Sequence, residues 1–380
     1  MRDLIKIDSQ NPPGDEFRIA DFVKRYLDKL GVKTKIYEFK KSRSNVVVYF
    51  PAKAGSCQKL IDQRGKRKNT DKTLLLTPHL DTVPAGKNWK IKPFSGEILK
   101  NRIYGLGATD CKGNLACAME AINSILDDKI ILSYNLILAA TADEESGSSL
   151  GLIPLLERGI LNPDLAVVLD ADDFKIIITQ KGLIHLKIKL KGKRSHGAYP
   201  ERGVNAIDIA VDIIQDIKKH KFCYIKNKYL LAPTVNVGTI KGGDKVNIVA
   251  DWCEFELDFR FLPGMSANNI IKAIKEIAGK HTKKYKLEIS DLQEPYYINE
   301  KHPLVSSLSE AMKNFKVNPI IGGSEGATVI TFFQAKNIPA IATGFGSDGC
   351  AHTADEYVRI DDLYKGALVL EEFLKNYKFN

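Results

Sequence analysis

Apolar and polar residues are spaced differently in the first and middle parts of the chain. Before residue 183, uninterrupted apolar runs alternate with segments in which apolar residues recur at helical spacing. The apolar runs are predicted to be buried strands, and the other segments helices. Strands are expected at residues 45–50, 73–77, 135–140 and 165–169, and helices at residues 15–30 and 114–126. This alternation predicts an α/β domain with a largely parallel sheet.

From residue 183 the pattern becomes the strict alternation that is typical of half-exposed strands. Strands are predicted at residues 184–190, 234–240, 252–259 and 286–290, with helices at 205–220 and 267–280. The order βαββαβ indicates a ferredoxin-like α+β module. Mixed α/β spacing then returns and ends in a predicted helix at 362–375. We therefore expect an α/β domain formed by residues 1–182 and 294–380, interrupted by an inserted α+β domain at residues 183–293.

Length and composition fit a soluble globular protein of two domains. The 380 residues exceed the usual size of a single core, and the 44% hydrophobic and 27% charged residues are ordinary proportions. No apolar run approaches the roughly 20 residues that cross a bilayer. The first residues are too charged and their apolar run too short for a secretory signal. We expect a cytoplasmic protein with no membrane partner.

The net charge of +10 raises the alternative of a nucleic-acid partner. However, the lysines are spread along the chain, and the densest basic stretch, residues 59–72, is predicted to be a solvated loop. We expect no nucleic-acid partner. The six cysteines include no Cys-x-x-Cys pair, which argues against disulfides and a cysteine zinc site. Cys111 and Cys350 are expected to be free thiols without a role.

Chemistry first appears in the motif HLDTVP, which begins at His79 and follows an apolar strand. In an extended strand, residues two apart project to the same side. His79 can therefore offer a ring nitrogen to a metal while Asp81 lies beside it. Such a pair also arises by chance, so it needs further ligands nearby.

Further acidic residues and a histidine follow other predicted strands or precede a helix. They are Asp110, Glu144, Glu145, Asp170 and His352. Each has an ordinary alternative, such as a helix cap, a solvated loop or a hydrogen-bonded histidine. Open α/β sheets, however, bind ligands at the carboxyl ends of their strands. The joint pattern therefore predicts a metal site there.

These motifs resemble the di-zinc amidohydrolases that include acetylornithine deacetylase, succinyl-diaminopimelate desuccinylase, aminoacylase-1 and the glutamate carboxypeptidases. The similar segments are DSQNPPGDE, HLDTVP, GLGATDCKGN, TADEESG, GKRSHGAYPERGVNA, DFRFLPG and AHTADE, from about residue 8 to 356. The resemblance implies a zinc-exopeptidase-like catalytic domain from residues 1–182 and 294–380. It also implies a lid and dimerisation role for residues 183–293.

The resemblance implies a role for each candidate in the catalytic domain. His79 and Asp170 would hold one zinc ion, Glu145 and His352 the other, and Asp110 would bridge the two. Cobalt and manganese are alternatives to zinc. Asp81 would orient His79, and Glu144 would be the general base. At the Asp170 position many relatives carry glutamate. The neighbouring Asp172 and Asp173 are therefore alternatives for this ligand.

The inserted domain would contribute substrate contacts. His196 resembles a histidine that stabilises the oxyanion, usually from a partner subunit, so we expect a homodimer. Arg260 resembles an arginine that binds the substrate carboxylate, and Asn247 and Glu325 are further substrate-binding candidates. The alternatives are a structural histidine at a strand-to-turn segment for His196 and an ordinary ion pair with Asp258 for Arg260.

The resemblance predicts a metal-dependent hydrolase that cleaves the amide bond of an N-acyl amino acid. A metal-bound water would attack, with Glu144 as the base. Acetylornithine deacetylase-like and succinyl-diaminopimelate desuccinylase-like activities are favoured, and a di- or carboxypeptidase acting on short peptides is the alternative. A catalytically inactive binding relative is the alternative outside the enzymes.

Overall fold

The computed structural model describes residues 1–52, 72–326 and 328–379. Apart from Lys72, the basic segment 59–72 that was predicted to be a solvated loop lies outside these residues. The chain forms two compact units. The α/β unit comprises Met1–Ile178, Ile298–Gly322 and Phe332–Asn380, and the α+β unit comprises Thr179–Tyr297 and Gly323–Thr331. The second unit thus begins four residues earlier than the predicted insert and receives a later, separate segment.

The helices are α1 (Arg2–Ile5), α2 (Phe17–Lys29), α3 (Lys112–Asp127), α4 (Leu152–Glu157), α5 (Ala206–Lys219), α6 (Ala267–His281), α7 (Pro303–Asn314), α8 (Ile330–Gln334) and α9 (Ile360–Asn376). The strands are β1 (Thr34–Lys40), β2 (Arg43–Phe50), β3 (Thr73–Thr77), β4 (Glu97–Leu99), β5 (Arg102–Tyr104), β6 (Asn135–Ala140), β7 (Leu165–Val168), β8 (Lys175–Gln180), β9 (Gly182–Lys191), β10 (Thr234–Gly242), β11 (Trp252–Phe261), β12 (Tyr285–Gln293), β13 (Tyr296–Tyr297), β14 (Ile320–Ser324), β15 (Ala340–Thr343) and β16 (Tyr357–Arg359).

The sheet of the α/β unit has four parallel strands at its centre. Its order is β1-β2-β6-β3-β7-β15-β8, and β6, β3, β7 and β15 run in the same direction. Strands β1, β2 and β8 pair antiparallel at the two sides. The predicted α/β class with a mostly parallel sheet is confirmed. Because the four central strands are parallel, their carboxyl ends meet at one edge of the sheet.

Burial explains why the central strands were predictable. All residues of β3 and β6 are buried, as the uninterrupted apolar runs indicate. Strands β1 and β8 were not predicted. β1 carries polar residues on its exposed face, and its burial alternates, so it lacks such a run. β8 lies at the side of the sheet immediately before the change of pattern at residue 183.

The α+β unit follows the order β9-α5-β10-β11-α6-β12. Its four strands form an antiparallel sheet in the order β10-β11-β9-β12, which is the strand order of a ferredoxin-like module. Alternate residues of β9 and β11 pack with α5 and α6 in one apolar core. Asn205 and Ser266 cap the two helices through their side-chain oxygens. Across the described ranges, no helix combines the length and apolarity needed to span a membrane.

Candidate metal and active site

The candidate site lies at the edge where the four parallel strands end. His79 follows β3, Glu144 and Glu145 follow β6, Asp170 follows β7, and His352 comes after β15. Residues 79 and 141 continue the pairing of β3 and β6 as an isolated bridge, which keeps His79 buried at the end of its strand. Strand order therefore brings chain segments that are far apart in sequence to one edge of the sheet.

Asp110 occupies the centre of the site. Its Oδ1 lies 2.8 Å from Nε2 of His79, and its Oδ2 lies 3.1 Å from Nε2 of His352. Candidate donor atoms form two groups that both contain Asp110: one with His79, Cys111 and Asp170, and one with Glu145 and His352. Within each group the donor atoms lie within 4.8 Å of one another. One carboxylate thus faces a different histidine with each oxygen.

Glu356 holds the loop that carries Asp110. Its buried carboxylate accepts backbone N–H bonds from Gly107, Thr109 and Asp110 at 2.9, 2.8 and 3.0 Å. Burial raises the pKa of Glu356 to about 7, although these bonds act to lower it. Glu356 was not among the residues expected to serve the site, although it ends the motif AHTADE.

Glu144 and Glu145 form a short 3₁₀ turn whose backbone is bound by Asp81. Oδ1 of Asp81 accepts the N–H of Glu144 at 3.1 Å, and Oδ2 accepts the N–H of Glu145 at 3.2 Å. The ring Nδ1 of His79 instead contacts the main-chain carbonyl of Asp81 at 2.9 Å, with the carboxylate 3.6 Å away. In this structure Asp81 therefore orients His79 through its carbonyl oxygen, and its carboxylate orients the two glutamates.

Asp170 belongs to the cluster, whereas its neighbour Asp172 has another partner. Oδ1 of Asp170 lies 3.6 Å from Nε2 of His79. Asp172 accepts a bond from Nζ of Lys175 at 2.9 Å. Among the aspartates considered for this ligand position, the geometry favours Asp170.

Negative charge dominates the electrostatics of the site. Burial, and then the carboxylate of Asp170, raise the pKa of Glu144 well above its ordinary value. Burial would raise the pKa of Asp110, but hydrogen bonds with His352 and His79 lower it. Bonds to Asp110 and Glu145 raise the pKa of His352 to about 10. The carboxylates of the cluster therefore stabilise a positive charge placed among them.

Glu145 provides an observation on which the fit of metal ions can be tested. Its Oε2 lies 3.3 Å from Nε2 of His352, whereas its Oε1 is buried and has no hydrogen-bond partner among the described residues. A buried carboxylate oxygen without a partner is costly. Imidazole nitrogens and carboxylate oxygens suit zinc and related divalent ions. The residues present therefore fit a divalent ion in each of the two donor groups.

Cys111 lies beside the candidate site. Its Sγ accepts the backbone N–H of His79 at 3.1 Å. Burial raises the pKa of this thiol to about 12. Cys111, Cys117, Cys223, Cys253 and Cys350 are free cysteines.

His196 and Asn247 lie together in the α+β unit. Residues 196 and 248 form an antiparallel bridge, and the N–H of Gly197 donates to the carbonyl of Asn247 at 2.8 Å. Nδ1 of His196 accepts the N–H of Ala198 at 3.0 Å. The remaining ring nitrogen, Nε2, is the atom that could donate to another group.

Arg260 and Glu325 have partners within the same unit. Nε and Nη2 of Arg260 donate to the two oxygens of Asp258 at 2.8 and 3.0 Å, as the ion-pair alternative describes. Oε2 of Glu325 lies 2.5 Å from Nζ of buried Lys181, and its Oε1 accepts the N–H of Leu231 at 2.8 Å. Both substrate-binding candidates are thus held by neighbouring groups.

Comparison with known proteins specifies the family to which this fold and this cluster of candidate ligands belong. The model of the peptidase family M20/M25/M40 matches residues 75–376. The chain therefore belongs to this family, as its resemblance predicted. Members of the family are metallohydrolases that act on amide and peptide bonds, so the expected enzyme class is confirmed.

Individual relatives agree with this assignment. An uncharacterized metallohydrolase of Methanocaldococcus jannaschii is 29% identical over 98% of this chain and 97% of its own length. Acetylornithine deacetylase of Klebsiella pneumoniae is 31% identical over 75% of each chain. The solved structure of an M20 family metallo-carboxypeptidase from Sulfolobus solfataricus covers 99% of this chain and 98% of its own, with a TM-score of 0.77 and 23% identity. That last likeness concerns the fold.

Proposed function

We propose that this protein hydrolyses the amide bond of N-acyl amino acids, in the manner of an acetylornithine deacetylase or a succinyl-diaminopimelate desuccinylase. The observation that carries the proposal is the placement of Asp110 between His79 and His352, with a separate oxygen facing each. Such a shared carboxylate suits a pair of divalent ions. The ligands would be His79 and Asp170 for one ion and Glu145 and His352 for the other, with zinc the first choice and cobalt or manganese the alternatives.

When bound, such ions act as Lewis acids and lower the pKa of a coordinated water from about 16 to about 7. The protein's own part is to place a base beside that water. Glu144 is adjacent in sequence to the ligand Glu145, and Asp81 binds the backbone N–H groups of both residues. These bonds fix the backbone of Glu144. Burial raises the pKa of its carboxylate, which is also near enough to Asp170 and Asp110 for their charges to raise that pKa further, and this supports a role beside the ligands.

Glu144 would act as general base and then as general acid. It takes a proton from the attacking water and later delivers that proton to the nitrogen of the leaving amine. Its raised pKa, caused first by burial and then by Asp170, suits a group that must both accept and release a proton. The amide carbon–nitrogen bond breaks in the second step, and the products are a carboxylic acid and a free amine.

The α+β unit would supply substrate contacts. Nε2 of His196 would donate a hydrogen bond to the developing oxyanion, from a partner subunit in a homodimer. Arg260 would bind the substrate carboxylate through the same two nitrogens that now contact Asp258, so the substrate would replace or share that partner. Asn247, beside His196, and Glu325 remain proposed contacts of the same substrate.

A di- or carboxypeptidase activity is the second candidate. The solved structure from Sulfolobus solfataricus is named a metallo-carboxypeptidase, and its fold covers almost the whole chain. A short peptide with a free carboxylate presents the same amide and the same anionic group as an N-acyl amino acid. The machinery described above would serve both substrates, so the substrate alone separates the two proposals.

A hydrolysis panel tests the proposal. N-acetyl and N-succinyl amino acids, among them N-acetylornithine, are compared with dipeptides in the presence of zinc, cobalt or manganese. We expect the acyl amino acids to have the highest kcat/KM. A preference for dipeptides would replace this proposal with the peptidase alternative, and no turnover of either class would contradict both.

The role of the base is tested by Glu144→Gln, which removes the proton acceptor but keeps the shape. We expect kcat to fall about 10²- to 10⁴-fold, the usual contribution of a general base, with metal content unchanged. Glu120→Gln, the same change on an exposed residue of α3, is the matched control and should retain wild-type kcat. Normal turnover by Glu144→Gln would show that another group is the base.

A further inference from the structure

Behind Glu144 and Glu145 lies a continuous chain of buried polar side chains. We call it the support network, and its members are Asn11, Glu16, Arg43, Asp81 and Asp143. All five are buried polar or charged residues within the α/β unit. Apart from Asp81, none of them was a sequence candidate for the site. Burying charged groups is costly unless they are paired. Four members of the network are charged, and they lie beside the candidate base, so we ask what this cost supports.

Arg43 is the only cation of this network. Its Nε and Nη2 donate to the two oxygens of Glu16 at 2.7 and 2.8 Å, and Nη2 also donates to Oδ1 of Asp143 at 2.8 Å. Its side chain is 8% exposed, and those of Glu16 and Asp143 are 0% and 4% exposed. The planar guanidinium thus binds two carboxylates at once, which the single ammonium of a lysine cannot reproduce.

Asp143 transmits this contact to the base, because it immediately precedes Glu144. Its Oδ2 accepts bonds from Oγ of Ser149 and the N–H of Leu150, both at 2.9 Å. Its backbone is in the left-handed region, with φ of 66°, where the chain turns from β6 into the 3₁₀ turn. Fixing this side chain therefore fixes the residue at which the direction of the chain changes.

Asn11 joins the two halves of the network. Its Nδ2 donates to Oδ2 of Asp81 at 2.9 Å and to Oδ1 of Asp143 at 3.3 Å. Asp81 in turn accepts the backbone N–H groups of Glu144 and Glu145. The backbone of Glu144 is consequently held on one side through Asp143 and on the other through Asp81.

Gly14 shows how closely the chain is fitted to Arg43. A Cβ added at Gly14 would lie 2.4 Å from Cζ and 2.5 Å from Nε of the arginine. The guanidinium cannot move aside without leaving the carboxylates that bind it. Gly14 and Glu16 belong to the motif DSQNPPGDE near the N-terminus. The motif therefore packs around the guanidinium of Arg43. Among the described residues, none of its members belongs to the two groups of candidate ligands.

We propose that Arg43 is a positioning residue for Glu144, acting through Asp143 and, by way of Asn11, through Asp81. The inference rests on the proposed role of Glu144 as the base. The rate of catalysis would then depend on four residues that do not contact the substrate. They are Asn11, Glu16, Arg43 and Asp143. A replacement that disturbs the network should move the base relative to the ligands, and misplacement by about 1 Å can reduce rates about 100-fold.

Arg43→Lys is the main test, since it keeps the charge and removes the fork. We expect kcat to fall about 10- to 100-fold while KM stays within about twofold, because substrate contacts are elsewhere. Bound metal per chain should fall much less than kcat does. Backbone amide exchange in the segment 141–150 of the metal-free protein should become faster, because the N–H bonds of Glu144 and Glu145 to Asp81 loosen.

Gly14→Ala and Asn11→Ala test the same chain of contacts from its two ends. The first should displace the guanidinium, and the second removes the link between Asp81 and Asp143. Both should lower kcat and speed exchange in the same segment. Tyr134→Phe is the stability control, because it removes a buried hydrogen bond to Leu374 of 2.7 Å at the other end of the unit. It should lower Tm without lowering kcat.

Two outcomes would overturn the inference. One is a kcat within about twofold of wild type in both Arg43→Lys and Asn11→Ala. The other is a loss of bound metal in Arg43→Lys as large as the loss of kcat, which would make the network a support of the ligands. In either case Glu144→Gln is measured alongside: an inactive Glu144→Gln leaves the proposed function standing, whereas an active one contradicts the proposed function itself.

Discussion

Two arginine–carboxylate forks in this protein have nearly the same geometry and very different surroundings. Arg43 contacts Glu16 at 2.7 and 2.8 Å, and Arg260 contacts Asp258 at 2.8 and 3.0 Å. The side chain of Arg43 is 8% exposed and binds a second carboxylate, whereas that of Arg260 is 26% exposed. Geometry alone therefore does not distinguish the two arginines. Burial and the third contact do.

Like Arg43, the candidate ligands are held in the α/β unit. Replacing one of them should have the largest effect on activity. Asp110→Asn removes the charge shared by both donor groups while keeping the size. We expect bound metal to fall below one ion per chain and kcat to fall at least about 10³-fold. Metal analysis and assays on the purified protein check this result. Two retained ions would contradict the shared role of Asp110.

The two forks should differ next in their effect on stability. Arg43→Met leaves Glu16 and Asp143 buried without a cation, so we expect a loss of about 3–5 kcal/mol in the free energy of unfolding. Arg260→Met leaves a more exposed aspartate that water can solvate, and we expect less than about 1 kcal/mol. Urea denaturation of both variants measures the difference. Equal losses would mean that burial does not distinguish the forks.

The two arginines should also differ in their effect on substrate binding, where Arg260 is expected to matter more than Arg43. Arg260→Ala should raise KM for carboxylate substrates about tenfold or more and change kcat little, because it removes a charged contact to the substrate. Steady-state assays with an N-acyl amino acid and with its amide, which lacks the carboxylate, provide the comparison. If KM for the acid is unaffected, Arg260 only pairs with Asp258.

The smallest signal is expected from mixed subunits. If His196 acts across a homodimer, combining His196→Ala with Glu144→Ala chains should produce mixed dimers that each have one intact site. With random exchange half of the dimers are mixed, so about a quarter of the wild-type activity should return. Neither variant alone should reach that value. A mixture as inactive as its components would indicate that His196 serves its own subunit or none.

The buried strands and the candidate ligands were the features that the sequence predicted best. Strands β3 and β6 coincide with their predicted ranges because buried central strands need uninterrupted apolar runs. The cluster could be foreseen because each ligand-type residue comes after a predicted strand or shortly before a predicted helix. The family motifs covered the same positions, so the metal-site candidates converge in the α/β unit.

The support network had no comparable signal. Arg43 follows a turn between β1 and β2, and its partners are 27 and 100 residues away in sequence. No spacing rule relates such positions, and an arginine at a turn ordinarily indicates a solvated surface. Asp81 shows the same limit on a smaller scale: its neighbourhood with His79 was predictable, whereas the bonds from its carboxylate to the N–H groups of Glu144 and Glu145 depend on how β3 and β6 pair.

The strand order of the α/β unit has a consequence for how the protein is made. The donor group of His79, Asp110 and Asp170 is encoded within the first 170 residues, whereas the group of Asp110 and Glu145 waits for His352. Strand β15, which lies beside β7, is also synthesised only after the whole α+β segment Thr179–Tyr297. His79, Asp110 and Asp170 are therefore synthesised long before His352, but the loop that carries Asp110 is held in place only after Glu356, four residues beyond His352, has been made.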